Sequence, residues 1–378
     1  MIDSAEIYEK IKEHLNTSKS LKKYQILISG LTINTILENN FTHKEMAELL
    51  LNAESVIVYR ASPAQKAEVV LFMKRASGNK VTLAIGDGAN DVNMIQQAHV
   101  GFGLMGKEGN QAAAFADYAI PRFKDLRRML FWHGRGYGVR MISFVYFCLF
   151  KSTLNVTTKY IQQFQNGFSG HQPVDGLLLS LFNVSMTVWY CLIMSICDQD
   201  VSFSKYGKSD EDEKKMPFHL SDYYVWCRQY CSKKSFYIGM VSYDAYSFVG
   251  GAFIFYIFYF GQGIYNVDGE LYGLFTYGVF STICIVFVHH AQVGMYTRNW
   301  TWFTIAWMLL SIILGPITIW LNDERKSAEL YKAIYPNLLT SPLFWLMLLL
   351  GSAMTFLPIY GFKQWTYVIK YPEFFACD

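Results

Sequence analysis

From Met141 onward the chain is dominated by six apolar stretches, Met141–Gln162, Gly176–Cys197, Phe236–Phe260, Leu271–His289, Trp302–Leu321 and Leu343–Tyr360. Each comes close to the roughly 20 residues an α-helix needs to cross ~30 Å of hydrocarbon. Within a bilayer every backbone N–H and C=O must be satisfied inside the span, so the pattern predicts six transmembrane helices. Trp300, Trp302, Trp320, Trp345 and Trp365 fall near the ends of these stretches, where indoles settle at headgroup level. The spacing predicts an all-helical membrane domain over 136–365 and a short tail over 366–378.

The loops set an orientation. Asp198–Ser235 carries Lys205, Lys208, Lys214, Lys215, Arg228, Lys233 and Lys234, whereas Phe164–Asp175 and Gly261–Leu271 carry neither Lys nor Arg. Basic loops stay on the cytosolic side, so the 198–235 loop and, after an even number of spans, the C-terminus are expected in the cytosol. The loop Asn322–Pro342, with Arg325, Lys326 and Lys332, is a mild exception on the far side. Met1-Ile-Asp-Ser-Ala-Glu offers no basic region leading into an apolar core, so it is no secretory signal. It opens directly into a charged helical stretch, which predicts a chain truncated at its N-terminus.

Before the spans the pattern is different. Short apolar runs (Tyr24–Ser29, Val56–Tyr59, Val81–Ile85, Val100–Phe102) alternate with helical stretches such as Lys44–Asn52, Ala64–Ser77 and Asp91–Ala98. That alternation predicts a parallel-sheet α/β domain over 1–135. A chain with 52% hydrophobic and 17% charged residues suits such a hybrid of soluble and membrane parts. With a formal charge of +3 and no Lys/Arg run interleaved with aromatics, nucleic acid is excluded as a partner. The seven cysteines are scattered, and Cys227 with Cys231 lacks a second pair, so reduced thiols are expected rather than a zinc site.

The chemistry concentrates in Ile85-Gly-Asp-Gly-Ala-Asn-Asp-Val-Asn-Met94. Ile85 ends a strand, where ligands of parallel sheets sit. The glycines allow a tight turn, and Asp87 and Asp91, four apart as a helix begins, can point to one locus. Hard carboxylate oxygens of that kind suit Mg²⁺, which completes its shell with water and phosphate oxygens. Asn90 adds a neutral donor for a phosphate oxygen. Gly-Asp-Gly alone would be read as a turn with Asp91 starting a helix; the whole string points to a metal-and-phosphate site.

Upstream, Arg60-Ala-Ser-Pro-Ala-Gln-Lys66 reads as a helix start, with Ser62 as cap, Pro63 in the first turn and Gln65 reaching back as in a capping box. Lys66 then sits in the first turn, disfavoured by the helix dipole by about 0.3–1 kcal/mol unless an anion is close. A bound phosphate would supply one, with Arg60 as a second cation; alone, Lys66 is more simply a solvated surface lysine. Three other patterns are set aside. Gly101-Phe-Gly-Leu-Met-Gly106 follows a helix and is read as packing or a turn. Asp198-Gln-Asp200 sits at the end of a span, and His289-His290, with no acidic partner nearby, is read as an interface feature.

Taken together, Arg60–Lys66, Thr82–Ile95, the run 106–112, Leu130–Tyr137 and Asp198-Gln-Asp-Val201 resemble the C-terminal part of P-type ATPases, most closely their type IV branch, the phospholipid flippases. The resemblance runs from about Tyr24 to the last span. It implies part of a haloacid-dehalogenase-like, Rossmann-like phosphorylation domain and an ATP-driven aspartyl-phosphate cycle. In that cycle Asp87 and Asp91 hold Mg²⁺, Lys66 touches the transferred phosphoryl group, Asn90 contacts phosphate and Arg60 contacts the nucleotide. It also implies a two-span glycoprotein subunit and a eukaryotic endomembrane or plasma membrane. The family's Asp-Lys-Thr-Gly-Thr nucleophile string does not occur here, so this chain alone is expected not to turn over ATP.

Lipid is favoured over ion as cargo. Ion pumps of this superfamily need intramembrane carboxylates, and the first two spans contain no Asp or Glu. Their one deep ionisable group is Lys151, about 15 Å from the start of its span at ~1.5 Å per residue. Burial there costs about 2.5–3.5 kcal/mol on insertion scales, which marks Lys151 as a functional candidate. The alternative is a structural lysine bonded to neighbouring carbonyls. Asn155 and Thr158 follow on the same face, and Asn183 lies in the second span. In the resemblance, Lys151 matches a lysine tied to headgroup handling; the family's next residue is usually Asn and here is Ser152. The expectation is a flippase moving phospholipid from the exoplasmic to the cytosolic leaflet. Its competitors are a non-catalytic flippase-like regulatory module and, third, a cation pump.

Overall fold

A computed structural model describes residues 4–20, 23–38, 43–78, 80–106, 110–174, 176–199, 231–261, 274–325 and 340–370. The chain divides into two units, Met1–Leu130 and Phe131–Asp378. Cys227, Asp200, the 107–109 part of the glycine run, Lys205, Lys208, Lys214, Lys215, Arg228, Lys326 and Lys332 lie outside the described residues.

The first unit is mixed α/β. In order it contains α1 (Ser4–Ser20), β1 (Gln25–Ser29), α2 (Gly30–Glu38), α3 (His43–Asn52), β2 (Ser55–Tyr59), α4 (Pro63–Ala76) and β3 (Leu83–Gly86). A 3₁₀ turn (Ala89–Asp91) then precedes α5 (Val92–Gln97), β4 (Val100–Leu104), α6 (Gln111–Phe115), β5 (Tyr118–Ile120) and α7 (Asp125–Arg128). All strand pairs are parallel, with Ile28 beside Val58, Ile85 beside Phe102 and Gly103 beside Ala119.

The strands do not join into one doubly wound sheet, as the Rossmann-like expectation requires. They form a two-stranded sheet, β1-β2, and a three-stranded sheet, β3-β4-β5. Among the described residues only one face of β1-β2 is covered: Ile28 packs with Ile33 and Ile36 of α2 and with Met46 and Leu49 of α3. On the other face Leu27 and Ile57 remain 67% and 56% exposed. Parallel sheets are normally covered on both faces, and no described strand of this chain continues the sheet from β2 to β3.

The second unit is helical. α8 (Arg135–Gln165) is followed by α9 (Gly176–Leu181), a π-helical turn (Phe182–Thr187) and α10 (Val188–Cys197). Then come α11 (Lys233–Gly261), α12 (Leu274–Tyr296), α13 (Trp302–Arg325) and α14 (Pro342–Lys370). Five helical segments among the described residues are long and apolar enough to cross a membrane, Asp125–Gln165, Leu178–Cys197, Lys233–Gly261, Leu274–Tyr296 and Trp302–Leu321. Six were expected. Among the described residues the sixth is represented by a shorter apolar helix, Pro342–Pro358, within α14.

α12 is buried along most of its length. Its Phe280, Cys284 and Ile285 pack in one core with Leu154 of α8, Ile254 of α11 and Phe344 of α14. Helices in lipid gain little from apolar burial alone and associate through close van der Waals fit and interhelical hydrogen bonds. Gly251 of α11 gives such a fit: a Cβ there would stand 2.8 Å from Thr157 Cβ of α8.

Hydrogen bonds tie the helix ends. At one end of the bundle the Tyr146 hydroxyl of α8 donates to Phe236 O of α11 at 3.1 Å. At the same end Arg140 donates to Asp198 O at 2.7 Å. Asp198 Oδ1 in turn accepts from the backbone N–H groups of Arg298 and Asn299, each at 2.9 Å. Toward the other end the Tyr277 hydroxyl donates to Thr158 O at 2.8 Å.

Candidate functional site

At the C-terminal end of β3 the strand closes on itself. Gly86 is buried, and a Cβ placed there would run into the side chain of Asp91. Only glycine therefore lets the 3₁₀ turn fold Asp91 back over the strand end. Asp91 is held by its N–H to Gly88 O at 3.1 Å. Its carboxylate accepts from Lys66 Nζ at 2.8 Å, with the two side chains 13% and 37% exposed. Asp87 and Asn90 are exposed at the same turn.

Lys66 is positioned by its helix start. Ser62 caps α4, accepting from Gln65 N at 3.3 Å, while Ser62 N donates to Gln65 Oε1 at 2.7 Å. This is the capping box read in the sequence, a feature worth ~1 kcal/mol. Gln65 does more than the pattern shows: its Nε2 donates to Gly30 O at 2.9 Å and to Asn34 Oδ1 at 2.6 Å. The start of α4 is thereby tied to the β1–α2 junction. Arg60 is exposed in the preceding turn with φ +55, left-handed backbone that a non-glycine residue adopts at a cost. Its carbonyl lies against Gly30, where a Cβ has no room.

The donor set fits Mg²⁺ in part. Asp87 and Asp91 supply two hard carboxylates on one turn, which is as many as Mg²⁺ usually takes from protein. Among the described residues no group of three or more His, Cys, Asp or Glu comes together. The five described cysteines, Cys148, Cys191, Cys197, Cys231 and Cys284, are free thiols. Burial pushes the Cys231 thiol pKa up.

In the membrane unit Lys151 is 4% exposed and donates to Thr187 Oγ1 at 2.7 Å. Thr187 passes the bond on to Phe182 O at 3.1 Å, five residues back, within the π-helical turn. Such turns occur mostly as single insertions in α-helices, often at functional sites. Neither Asn155 nor Asn183 is brought to Lys151 by a hydrogen bond; Asn155 is partly buried and Asn183 is exposed. Thr158 Oγ1 instead donates to Asn155 O at 3.0 Å.

His289 and His290, read as an interface feature, are buried at 0% and 2% exposure. His290 Nδ1 lies 2.7 Å from Val286 O and Nε2 lies 2.9 Å from Ser311 Oγ, and its ring stacks on Tyr190 at 5.6 Å. Packing among α10, α12 and α13 overrides the sequence position at a span end, because α12 continues two turns beyond the predicted limit. Asp198, set aside in the sequence as the end of a span, braces the α12–α13 turn. One further residue escaped the sequence analysis: Asp244 of α11 accepts from Thr153 Oγ1 of α8 at 2.9 Å. A carboxylate inside an apolar run was the available signal for Asp244. Gly101 and Gly103 lie within β4, where Ile95 and Ala113 leave no space for a Cβ, which makes the glycine pattern one of packing.

Comparison with known proteins accounts for both units. Residues 113–371 match the family model described as "Phospholipid-translocating P-type ATPase C-terminal". The chain is 30% identical over 316 residues to phospholipid-transporting ATPase IH of Mus musculus, covering 80% of this chain and 25% of that protein. Against phospholipid-transporting ATPase IH of Homo sapiens it is 30% identical over 361 residues, 90% of this chain and 30% of the relative. Against phospholipid-transporting ATPase DRS2 of Saccharomyces cerevisiae it is 30% identical over 371 residues, 94% of this chain and 26% of the relative. The chain thus spans a quarter to a third of the curated relatives it matches. With most of its length matched in each case, the chain belongs to the phospholipid-translocating P-type ATPase family, of which it represents the C-terminal region.

Proposed function

We propose that this chain is the C-terminal portion of an ATP-driven phospholipid flippase that moves phospholipid from the exoplasmic to the cytosolic leaflet through an aspartyl-phosphate cycle. The observation that carries the proposal is the Lys66–Asp91 pair, 2.8 Å across the end of β3, in a chain of this family. In the proposed site Asp87 and Asp91 hold Mg²⁺, which supplies charge neutralisation at a phosphoryl group. Lys66, one of whose three N–H groups is taken by Asp91, would turn another toward the phosphoryl oxygens, Asn90 would donate to a phosphate oxygen, and Arg60 would meet ATP. The surrounding fold is assigned as part of a haloacid-dehalogenase-like domain. The nucleophilic aspartate is assigned to residues outside this chain, because Asp-Lys-Thr-Gly-Thr is absent from it.

In the membrane unit the proposal counts α14 as a sixth span, places the 198–235 loop and the C-terminus in the cytosol, and assigns Lys151, Asn155 and Asn183 to the lipid pathway. Phe123–Arg140 transmits the phosphoryl cycle to the helices. A two-span glycoprotein subunit is assigned as partner, and a eukaryotic endomembrane or plasma membrane as location. Lipid is favoured over a cation because the buried charge is a lysine. Asp244, a half-buried carboxylate of α11, is engaged by Thr153. A second reading, a non-catalytic flippase-like module, is favoured by the absent nucleophile string. The test is ATP turnover by the full-length protein with added phospholipid or added cations. Phospholipid stimulation supports the flippase, cation stimulation the pump, and no turnover the module.

A further inference from the structure

Two hydrogen bonds fix the register between α8 and α10. Lys151 of α8 reaches Thr187 Oγ1 just before α10, and Arg140 of α8 reaches Asp198 O just after it, each at 2.7 Å. These contacts are eleven residues apart on both sides, so the two helices run antiparallel and in step. Cys148 lies three residues before Lys151, and Cys191 four residues after Thr187. Residues three and four apart share a helix face, so both cysteines stand on the faces that meet. With a rise of ~1.5 Å per residue they are level to within about one residue. The packing agrees. Cys191 shares a buried cluster with Phe147, the neighbour of Cys148, and Phe144 packs against that cluster one turn earlier on α8. The two thiols are each other's hydrogen-bond partners.

Helices in contact lie about 8–10 Å apart, with Cα atoms ~2.3 Å from each axis. Facing residues on such helices come close enough for a disulfide, whose Cα atoms are about 4.4–6.8 Å apart. The two thiols differ in access: Cys191 is 1% exposed, whereas Cys148 is half-buried. Reactive cysteines are partly exposed and stand beside a cation, and Lys151 is one turn from Cys148. We propose that Cys148 and Cys191 form an oxidation site, at which hydrogen peroxide converts the two thiols into a disulfide joining α8 to α10. The Cys148 sulfur attacks the peroxide: an S–O bond forms, the O–O bond breaks and one water leaves. Cys191 then attacks the sulfenic acid so made; the S–S bond forms, the S–O bond breaks and a second water leaves. The thiols lose two electrons and two protons, and the peroxide is reduced to water. The link sits one turn from the Lys151–Thr187 bond and prevents α8 and α10 from sliding or separating. That it stops lipid movement until a thiol reductant cleaves it rests on the flippase reading; the link itself does not.

The test treats the full-length protein in lipid nanodiscs with hydrogen peroxide, blocks remaining thiols with N-ethylmaleimide, and identifies peptides by mass spectrometry. The expected product is a Cys148 peptide joined to a Cys191 peptide, lost on treatment with dithiothreitol. In Cys191→Ser the link is absent and dimedone traps the sulfenic acid on Cys148. Both cysteines recovered as separate maleimide adducts after peroxide overturn the proposal, and so does Cys148 joined to any other thiol. Lipid movement by the same samples is expected to be lost on oxidation and regained with dithiothreitol, while Cys148→Ser and Cys191→Ser resist peroxide. A linked protein that still moves lipid overturns the locking of the helices. A reduced protein that moves none counts against the flippase reading alone, since the peptides still decide the link.

Discussion

Lys151 on α8 donates across the bundle to Thr187 Oγ1 in the π-helical turn before α10, at 2.7 Å, with both side chains closed off at 4% and 0% exposure. The Thr187 hydroxyl that accepts from the lysine donates in turn to Phe182 O within the π turn, at 3.1 Å. Thr187→Val removes the acceptor and leaves a buried ammonium with less to hold. It is expected to destabilise the protein by about 1–3 kcal/mol, seen as a lower melting temperature in nanodiscs. Thr187→Ser, which keeps the hydroxyl, should melt close to the parent.

Lys151→Ala separates transport from phosphorylation. In the full-length protein it should slow lipid movement and lipid-stimulated dephosphorylation while the phosphoenzyme still forms from ATP. Equal loss of both steps in a gel assay of acid-stable phosphoenzyme would place Lys151 in the folding of the unit and not in the lipid pathway.

The Lys66–Asp91 pair is partly exposed at 37% and 13%, so its direct contribution to stability is about 0–1 kcal/mol. Its proposed value lies in chemistry. Lys66→Met should therefore leave the melting temperature nearly unchanged and reduce ATP turnover at least about tenfold, equivalent to ~1.4 kcal/mol of barrier. A large drop in melting temperature with turnover per folded molecule unchanged would show a structural lysine.

Gly86→Ala tests how Asp91 is placed. The added methyl meets the Asp91 side chain, and overpacking of that kind costs about 1–3 kcal/mol. Loss of turnover is expected to exceed the loss of stability, because the carboxylate must leave the strand end. Gly88→Ala is the control, since the nearest heavy atom to a Cβ there is 4.0 Å away.

These features differ in how far the sequence exposed them. The capping box at Ser62 and Gln65 was legible because it is local: two side chains and two backbone groups within four residues. The second half of Gln65's role, its bonds to Gly30 and Asn34, was not, since it depends on contacts about thirty residues away. The strands were legible from their apolar runs, but the split into two sheets was not, because sheet order is a long-range property. His289 and His290 were misplaced for a related reason. A hydropathy window ends a span at the first polar pair, whereas α12 runs on to Tyr296 and buries that pair among its neighbours. Lys151 stood out because a lone charge in an apolar run needs explaining; its partner Thr187, an ordinary residue of an apolar helix, carried no such signal.

Asp198 offers a purely structural prediction. Its carboxylate accepts two backbone N–H groups, from Arg298 and Asn299. Asp198→Ala strands both donors and should cost about 1–3 kcal/mol, read as earlier unfolding and faster amide exchange at those two residues. Asp198→Asn retains an acceptor oxygen and should fall between the two.

Transbilayer movement of a fluorescent phospholipid, followed in proteoliposomes holding the full-length protein that contains this chain, tests the central proposal most directly. ATP and Mg²⁺ together should drive the lipid from the exoplasmic to the cytosolic leaflet, and Asp87→Asn should abolish that movement. Lipid that stays in place with ATP and Mg²⁺, or movement that survives Asp87→Asn unaltered, would contradict it.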